Sequence, residues 1–288
     1  MKSIGIIGNG FVGSAIAAGF ALHSTVRVFD KDPKKSIDTL HDVINFSNFV
    51  FVSVPTPMER IEGGKIDLTI LDSVFDDIMS VEKTSDFSYE EIVFIIKSTV
   101  IPGTTERYHE KYPQLRIVFN PEFLTERSAN LDFINASRIV IGGHELDCIS
   151  VSELYRDRFP YTKIICTDSK SAEMIKYACN CFFATKVSFM NEIRLLSDKL
   201  GCDWDGVLNG FISDGRIGNS HIDVPGHDGD FGFGGKCFPK DINAFMQCFL
   251  DNDLEPLILS AAWERNKVVR KKIDWAKIKG AVSEGDDV

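Results

Sequence analysis

The stretch GIIGNGFVGSAIAAGF, residues 5–20, constrains the fold more than any other part of the chain. A short apolar run leads into Gly8, Gly10 and Gly13 at GxGxxG spacing, and a helical pattern follows at once. Each glycine has a separate use in such a turn. Gly8 permits the tight bend, Gly10 lets backbone approach a pyrophosphate at the helix N-terminus, and Gly13 lets helix and strand pack closely. A second apolar run, TVRVFD, ends at Asp30, about twenty residues further on, where a carboxylate can accept bonds from ribose hydroxyls. A carboxylate there repels a 2′-phosphate and favours NAD over NADP, while Lys31, Lys34 and Lys35 act in the opposite sense. The candidate cofactor residues of this segment are Gly8, Gly10, Phe11, Val12, Gly13, Asp30 and Lys35.

Further short apolar runs alternate with helical patterns. Strands are predicted at 3–7, 25–30, 49–54, 92–97, 115–119, 138–142 and 163–166, which implies a doubly wound, Rossmann-like parallel sheet with helices on both faces. Two polar loops, TPMERIEGGKID and SVEKTSDFSYEE, interrupt the alternation. The texture changes near Thr167. From Asp168 to Leu200 the pattern is helical without proline or glycine, with Asp168 or Ser169 as N-cap and Gly201 as the stop. We therefore divide the chain into a nucleotide-binding domain, 1–167, and a helical domain, 168–288, built on one long helix. Within the second, helices are expected in DWDGVLNGFIS, from Lys240 in KDINAFMQCFL, and in PLILSAAWERNKVVRKKIDWAKIK.

Composition narrows the function. The 288 residues carry 32 Lys+Arg against 42 Asp+Glu, a net charge of −10, which disfavours a nucleic-acid partner. No apolar run reaches membrane-spanning length and no cleavable leader is apparent, so a cytoplasmic location is expected. The seven cysteines lack CxxC spacing and read as mostly buried thiols of a reducing compartment, and the six histidines do not cluster, so no metal is expected.

One cysteine stands apart. FGFGGKCFPKD, residues 231–241, sets Cys237 between a glycine run and a Pro-Lys-Asp, with Asp241 four residues on. Lysine favours a thiolate, and Asp241 can share a helix face with the sulfur. SVPTP (53–57) and KSTVIPGTT (97–105) close two strands, FNPEFLTERSA (119–129) follows another, and ligands of such sheets lie at the carboxyl ends of strands. On the long helix, AEMIKYACNCFFATKVSFMNEI puts Lys176 and Asn180 one turn apart.

Together these stretches, collinear from residue 3 to about 275, resemble the nucleotide-sugar dehydrogenases. That resemblance implies oxidation of a sugar's primary alcohol to a carboxylate with two NAD, by way of an aldehyde. Cys237 would be the nucleophile that forms a thiohemiacetal and then a thioester. Lys176 and Asn180 would stabilise oxyanion charge, Lys176 also moving protons. Asp241 would act with Lys176 on water, Glu122 would serve as base for hydrolysis, and Thr99 would place that water. Thr56, Thr99, Glu126 and Lys240 match cofactor contacts. Glu122, Phe123, Leu124, Lys176 and Gly234 match sugar-nucleotide contacts. Arg216 matches an arginine that reaches a partner subunit's site, which implies a homodimer built on the long helix.

Two departures are visible. Family members continue into a third α/β domain that holds much of the nucleotide, and this chain stops near that boundary, so a loss of substrate affinity is expected. The loop NSHIDVPGHDGDFGFGG is longer than the family's usual version, and its extra residues, among them Asp223, His227, Asp228 and Asp230, are expected to replace part of the missing wall. Two alternatives stay open: a short 3-hydroxyacid-type dehydrogenase, which needs no cysteine, and a truncated, weakly active dimeric binding subunit.

Overall fold

A computed structural model describes residues 2–60, 63–81, 88–125 and 127–283. The chain forms two compact units, Met1–Thr56 with Leu68–Lys176, and Pro57–Asp67 with Tyr177–Val288.

The first unit is a seven-stranded sheet in the order β2-β1-β3-β4-β5-β6-β7. The strands are β1 (Ser3–Ile7), β2 (Thr25–Phe29), β3 (Phe49–Val52), β4 (Val93–Ile96), β5 (Arg116–Phe119), β6 (Arg138–Gly142) and β7 (Lys163–Thr167). Central strands are buried on both faces, as their unbroken apolar runs require. Successive residues serve opposite cores. Phe51 and Ile95 pack with α1 (Phe11–Phe20), α5 (Ala129–Ile134) and α6 (Glu145–Arg158). Val50, Val52, Phe94 and Ile96 pack with α2 (Leu40–Asn45), α3 (Thr69–Ser80) and α4 (Thr104–Lys111).

The all-parallel expectation needs one correction. Strands β1 to β5 are parallel, but β6 meets β5 antiparallel, through Phe119 opposite Gly142, and β7 follows β6. Among the described residues after β5 no helix forms until Ala129, and the six residues of α5 return the chain without the crossover a parallel strand needs. Because the two strands overlap only at their ends, residues 120–123 run beside β6: Asn120 Nδ2 donates to Val140 O at 2.5 Å, and the Arg138 guanidinium lies 4.3 Å over the Phe123 ring.

Helix α7 (Ser169–Leu200) starts where expected, with the Asp168 carboxylate accepting from Ser171 N at 2.8 Å and Ser171 Oγ at 2.6 Å, and stops at Gly201, φ 70°. Its first turns belong to the first unit. There Glu173, fully buried, accepts from Gly103 N, Thr105 N and Thr105 Oγ1 at 2.6–2.8 Å and so caps α4. Glu173→Ala should leave those donors without a partner and cost about 2–4 kcal/mol, measurable as a lower urea midpoint.

The second unit holds the rest of α7 with α8 (Trp204–Ile212), α9 (Cys237–Leu250) and α10 (Leu257–Val269). Residues 57–60 and 63–67 of the first polar loop join it: Gly63 N donates to Asn243 Oδ1 at 2.9 Å and Lys65 pairs with Asp251 at 2.8 Å. Residues 82–87 of the second polar loop lie outside the described residues. Mostly buried thiols were expected, but only Cys148 and Cys181 are buried. Cys166 is exposed because it lies on the edge strand β7, and Cys202 because it follows the end of α7. No described helix is long and apolar enough to cross a membrane.

Candidate active site

The glycine turn is built by close approach. Gly8 has φ 94°, and a Cβ there would lie 2.5 Å from Ser53 O at the end of β3; a Cβ on Gly13 would run into Gly8 O. Side chains at either position would therefore push α1 off the β1–β3 switch point. Gly10 differs. It is the N-cap of α1, and a Cβ there would meet nothing within 4 Å, so internal packing does not require glycine at 10. No side chain caps α1 and no acid sits in its first turn, which leaves its N-terminal amides for an anion. Phe11 and Val12 anchor that turn in the core. Just after β2, the Asp30 carboxylate accepts from Asn9 N at 2.6 Å and Asp32 N at 2.8 Å. Asn9 Nδ2 donates to Lys35 O at 2.8 Å, so Lys35 contributes its carbonyl to the turn while its side chain stays exposed. These residues fit a dinucleotide: an open helix terminus for the pyrophosphate and an acid one strand away for a ribose. Thr56 is buried and donates to Thr99 O at 2.8 Å, joining the ends of the β3 and β4 loops.

The same sheet edge carries a buried charge cluster. Lys176 and Glu122 are 3% and 6% exposed. The Lys176 ammonium donates to Glu122 Oε1 at 2.9 Å and to Glu122 O at 2.7 Å, and Glu122 Oε2 accepts from Leu124 N at 2.7 Å. The Phe123 ring lies 5.5 Å from the Lys176 ammonium. Phe123 and Leu124 are half-buried and pack at the core margins. Lys97, which follows β4, is also buried and donates to Asn120 Oδ1 and Pro121 O. From the KSTV stretch the sequence nominated Thr99 and not Lys97; the signal for Lys97 was a lysine closing an otherwise apolar buried strand. Glu126 lies outside the described residues.

In the second unit, α9 begins at Cys237, three residues before the Lys240 start expected from the sequence. Pro239 suggested a loop, but a proline in the first helical turn loses no intrahelical bond. Half-buried Cys237 thus occupies the positive end of a helix, where a sulfur anion is favoured, one turn from Asp241. Asp241 is buried and accepts from Asn180 Nδ2 and Lys240 Nζ, both at 2.5 Å. Lys240, read from the resemblance as a cofactor contact, here neutralises Asp241. Gly234 is pressed against Arg270 and Asp274 so closely that a Cβ would collide with both.

The long loop before the cysteine is anchored inside the unit. Arg270 pairs with Asp228 at 2.7 Å and Asp274 at 3.2 Å. Phe233 N donates to Asn266 Oδ1 at 2.7 Å and Gly232 N to Asn191 Oδ1 at 2.9 Å. Asp223 and His227 are exposed. Arg216 is exposed and forks onto Asp214 two residues away. The structure thus brings Glu122 to Lys176, Thr56 to Thr99, and Asn180, Lys240 and Asp241 together; Arg270, Asn191 and Asn266 were not singled out in the sequence. Among the described residues no group of histidine, cysteine and acid side chains could hold a metal.

Comparison with known proteins gives the family of the chain. Residues 36–158 match the NAD binding domain, and 170–268 the central domain, of the UDP-glucose/GDP-mannose dehydrogenase family. The chain is 33% identical to the UDP-glucose 6-dehydrogenase of Rickettsia bellii, over 79% of its own length and 53% of that protein. It is 31% identical to that of Rickettsia typhi, over 92% and 67%. A UDP-glucose dehydrogenase from the hyperthermophilic archaeon Pyrobaculum islandicum superposes with a TM-score of 0.79 at 28% identity, covering 93% of this chain and 68% of that one. A Mycobacterium tuberculosis 3-hydroxyisobutyrate dehydrogenase shares the fold at 17% identity, TM-score 0.72. The chain spans about half to two thirds of the curated UDP-glucose 6-dehydrogenases it matches.

Proposed function

Because the chain belongs to the UDP-glucose/GDP-mannose dehydrogenase family, we propose that it oxidises the primary alcohol of a UDP-glucose-like sugar nucleotide to the carboxylate and consumes two NAD per sugar. Bound NAD supplies the hydride acceptor. Gly10 and the α1 amides would hold its pyrophosphate at the turn that Gly8 and Gly13 shape, and Asp30 would hold a ribose. Cys237 adds to the aldehyde carbon to give a thiohemiacetal, whose oxidised form is a thioester. Water then cleaves the thioester, releasing the carboxylate and restoring the thiol. Asn180 and Lys176 steady the oxygen that bears the developing charge, and Glu122 and Thr99 serve the hydrolytic water.

The observation that carries this reading is Cys237 at the first turn of α9, above a buried Asp241 whose charge Lys240 and Asn180 already engage. Such an acid orients the groups around it instead of opposing a thiolate.

Nucleotide binding falls before residue 168 and the cysteine loop after it. The protein works in the cytoplasm as a homodimer along α7. Exposed Phe182, Phe189 and Leu196 recur there at seven-residue spacing, as a helix-pairing stripe does. Exposed Arg216 extends to the partner's site, and loop 219–231 takes part in substrate binding. Since Asp228 is a structural anchor, His227→Ala, not a loop deletion, isolates that contribution.

The direct test is purified protein with NAD and a panel of UDP- and GDP-sugars, counting NADH against carboxylate. Two NADH per carboxylate are expected. One NADH and no acid would point to a simple alcohol dehydrogenase, and NAD binding without NADH to a binding subunit.

A further inference from the structure

We propose that Lys97 is a positioning residue for the Glu122–Lys176 pair: a second buried amine that grips the backbone leading into Glu122 and biases the charge state of the pair. The inference rests on the catalytic reading of Glu122 and Lys176 above. Lys97 is 5% exposed and stands where β4 ends. Its ammonium meets two neutral oxygens, Asn120 Oδ1 at 3.1 Å and Pro121 O at 3.3 Å. Asn120 is fixed in turn, since the Tyr155 hydroxyl donates to the same oxygen at 2.6 Å and its own amide donates to Val140 O. Lys97 therefore holds residues 120–121 from the strand side, while Lys176 holds the Glu122 carbonyl and carboxylate from α7.

The charged and titratable groups facing Lys97 are Glu122 from the loop after β5, Lys176 from α7 and, through Asn120, Tyr155 from α6. Burial pushes the Lys97 amine down to about 7, with Glu122 acting against that shift and Lys176 with it. Its charge consequently changes in the neutral range. When charged, Lys97 sets a second positive charge beside the pair, attracted by Glu122 and repelled by Lys176. An added positive charge opposes the uptake of a proton at its neighbours, and its removal takes that opposition away.

The closing experiment compares Lys97→Gln, which keeps a donor for Asn120 without titrating, and Lys97→Arg, which keeps a permanent charge, with the wild type. In Lys97→Gln the acid limb of the kcat/KM–pH profile should move up by about one pH unit while KM for NAD stays unchanged. In Lys97→Arg that limb should stay at or below the wild-type position. A purely structural lysine would instead lower kcat/KM equally at every pH, and that result overturns the proposal.

A second arm needs no turnover. The folded protein binds fewer protons at Lys97 than the unfolded chain, so this group makes stability rise with pH from about 7 towards the ordinary lysine range. Lys97→Gln should flatten that rise, and its effect on stability should be non-additive with that of Glu122→Gln. An unchanged slope or strict additivity overturns the proposal. If the wild type oxidises no sugar nucleotide, the functional reading fails while this arm still decides the role of Lys97.

Discussion

Replacing Cys237 by serine is expected to lower the steady-state rate of carboxylate formation by at least about 10³-fold, some 4 kcal/mol of barrier. The substitution changes one atom at a half-buried position, so stability should shift by less than about 1 kcal/mol. What is lost is chemical. A thiol at the N-terminus of α9 supplies a nucleophile that a hydroxyl without a base cannot match. Without covalent capture the sugar stops at the aldehyde, and NADH per carboxylate no longer converges on two. NAD affinity should be unchanged, because the glycine turn and Asp30 belong to the other unit. The measurement is NADH release and carboxylate content on one sample, with tryptophan-quenching titration of NAD alongside. Carboxylate formed by Cys237→Ser at the wild-type rate would remove the thioester from the mechanism and favour the short hydroxyacid dehydrogenase reading.

Much of the first unit can be read from residues alone because its central strands are apolar on both faces. VFIIK, RIVF and RIVIG leave little choice but central strands, and the glycine turn places β1. The reversal of β6 escapes such reading, since strand direction depends on where a connection crosses and not on the strand's composition. The start of α9 escapes for another reason. Pro239 is a breaker almost everywhere except in a first turn, and only the fold shows that it is in one. At the site, Glu122, Lys176, Asn180 and Asp241 can be nominated by motif, but the pairings cannot. Which base meets which acid follows from the extended run of residues 120–123 beside β6 and from the turn of α9 that brings Lys240 onto Asp241. Lys97 and Arg270 were missed because lysine and arginine are usually solvated, and burial alone makes these two consequential.

Substituting Lys176 with methionine should damage stability and catalysis together, and the two losses can be separated. With the ammonium gone, the Glu122 carboxylate remains buried and keeps the Leu124 amide as a partner while losing its nearest counter-charge. Breaking a buried pair from one side costs about 3–5 kcal/mol, because the remaining charge is uncompensated. Removing the partner charge as well should restore most of that, so Lys176→Met/Glu122→Gln is expected to be more stable than Lys176→Met alone. Catalysis should follow the opposite logic. Lys176→Met and the double variant both lose the group that moves the proton or steadies the oxyanion, and kcat should fall by about 10²–10⁴-fold in each. Since the chain has two compact units, unfolding is best followed by hydrogen exchange at the amides of β4 and β5, which report the unit containing the pair. Recovered protection with unrecovered turnover would identify a pair retained for chemistry at the expense of stability; a double variant no more stable than Lys176→Met would show that the ion pair is not what the first unit loses.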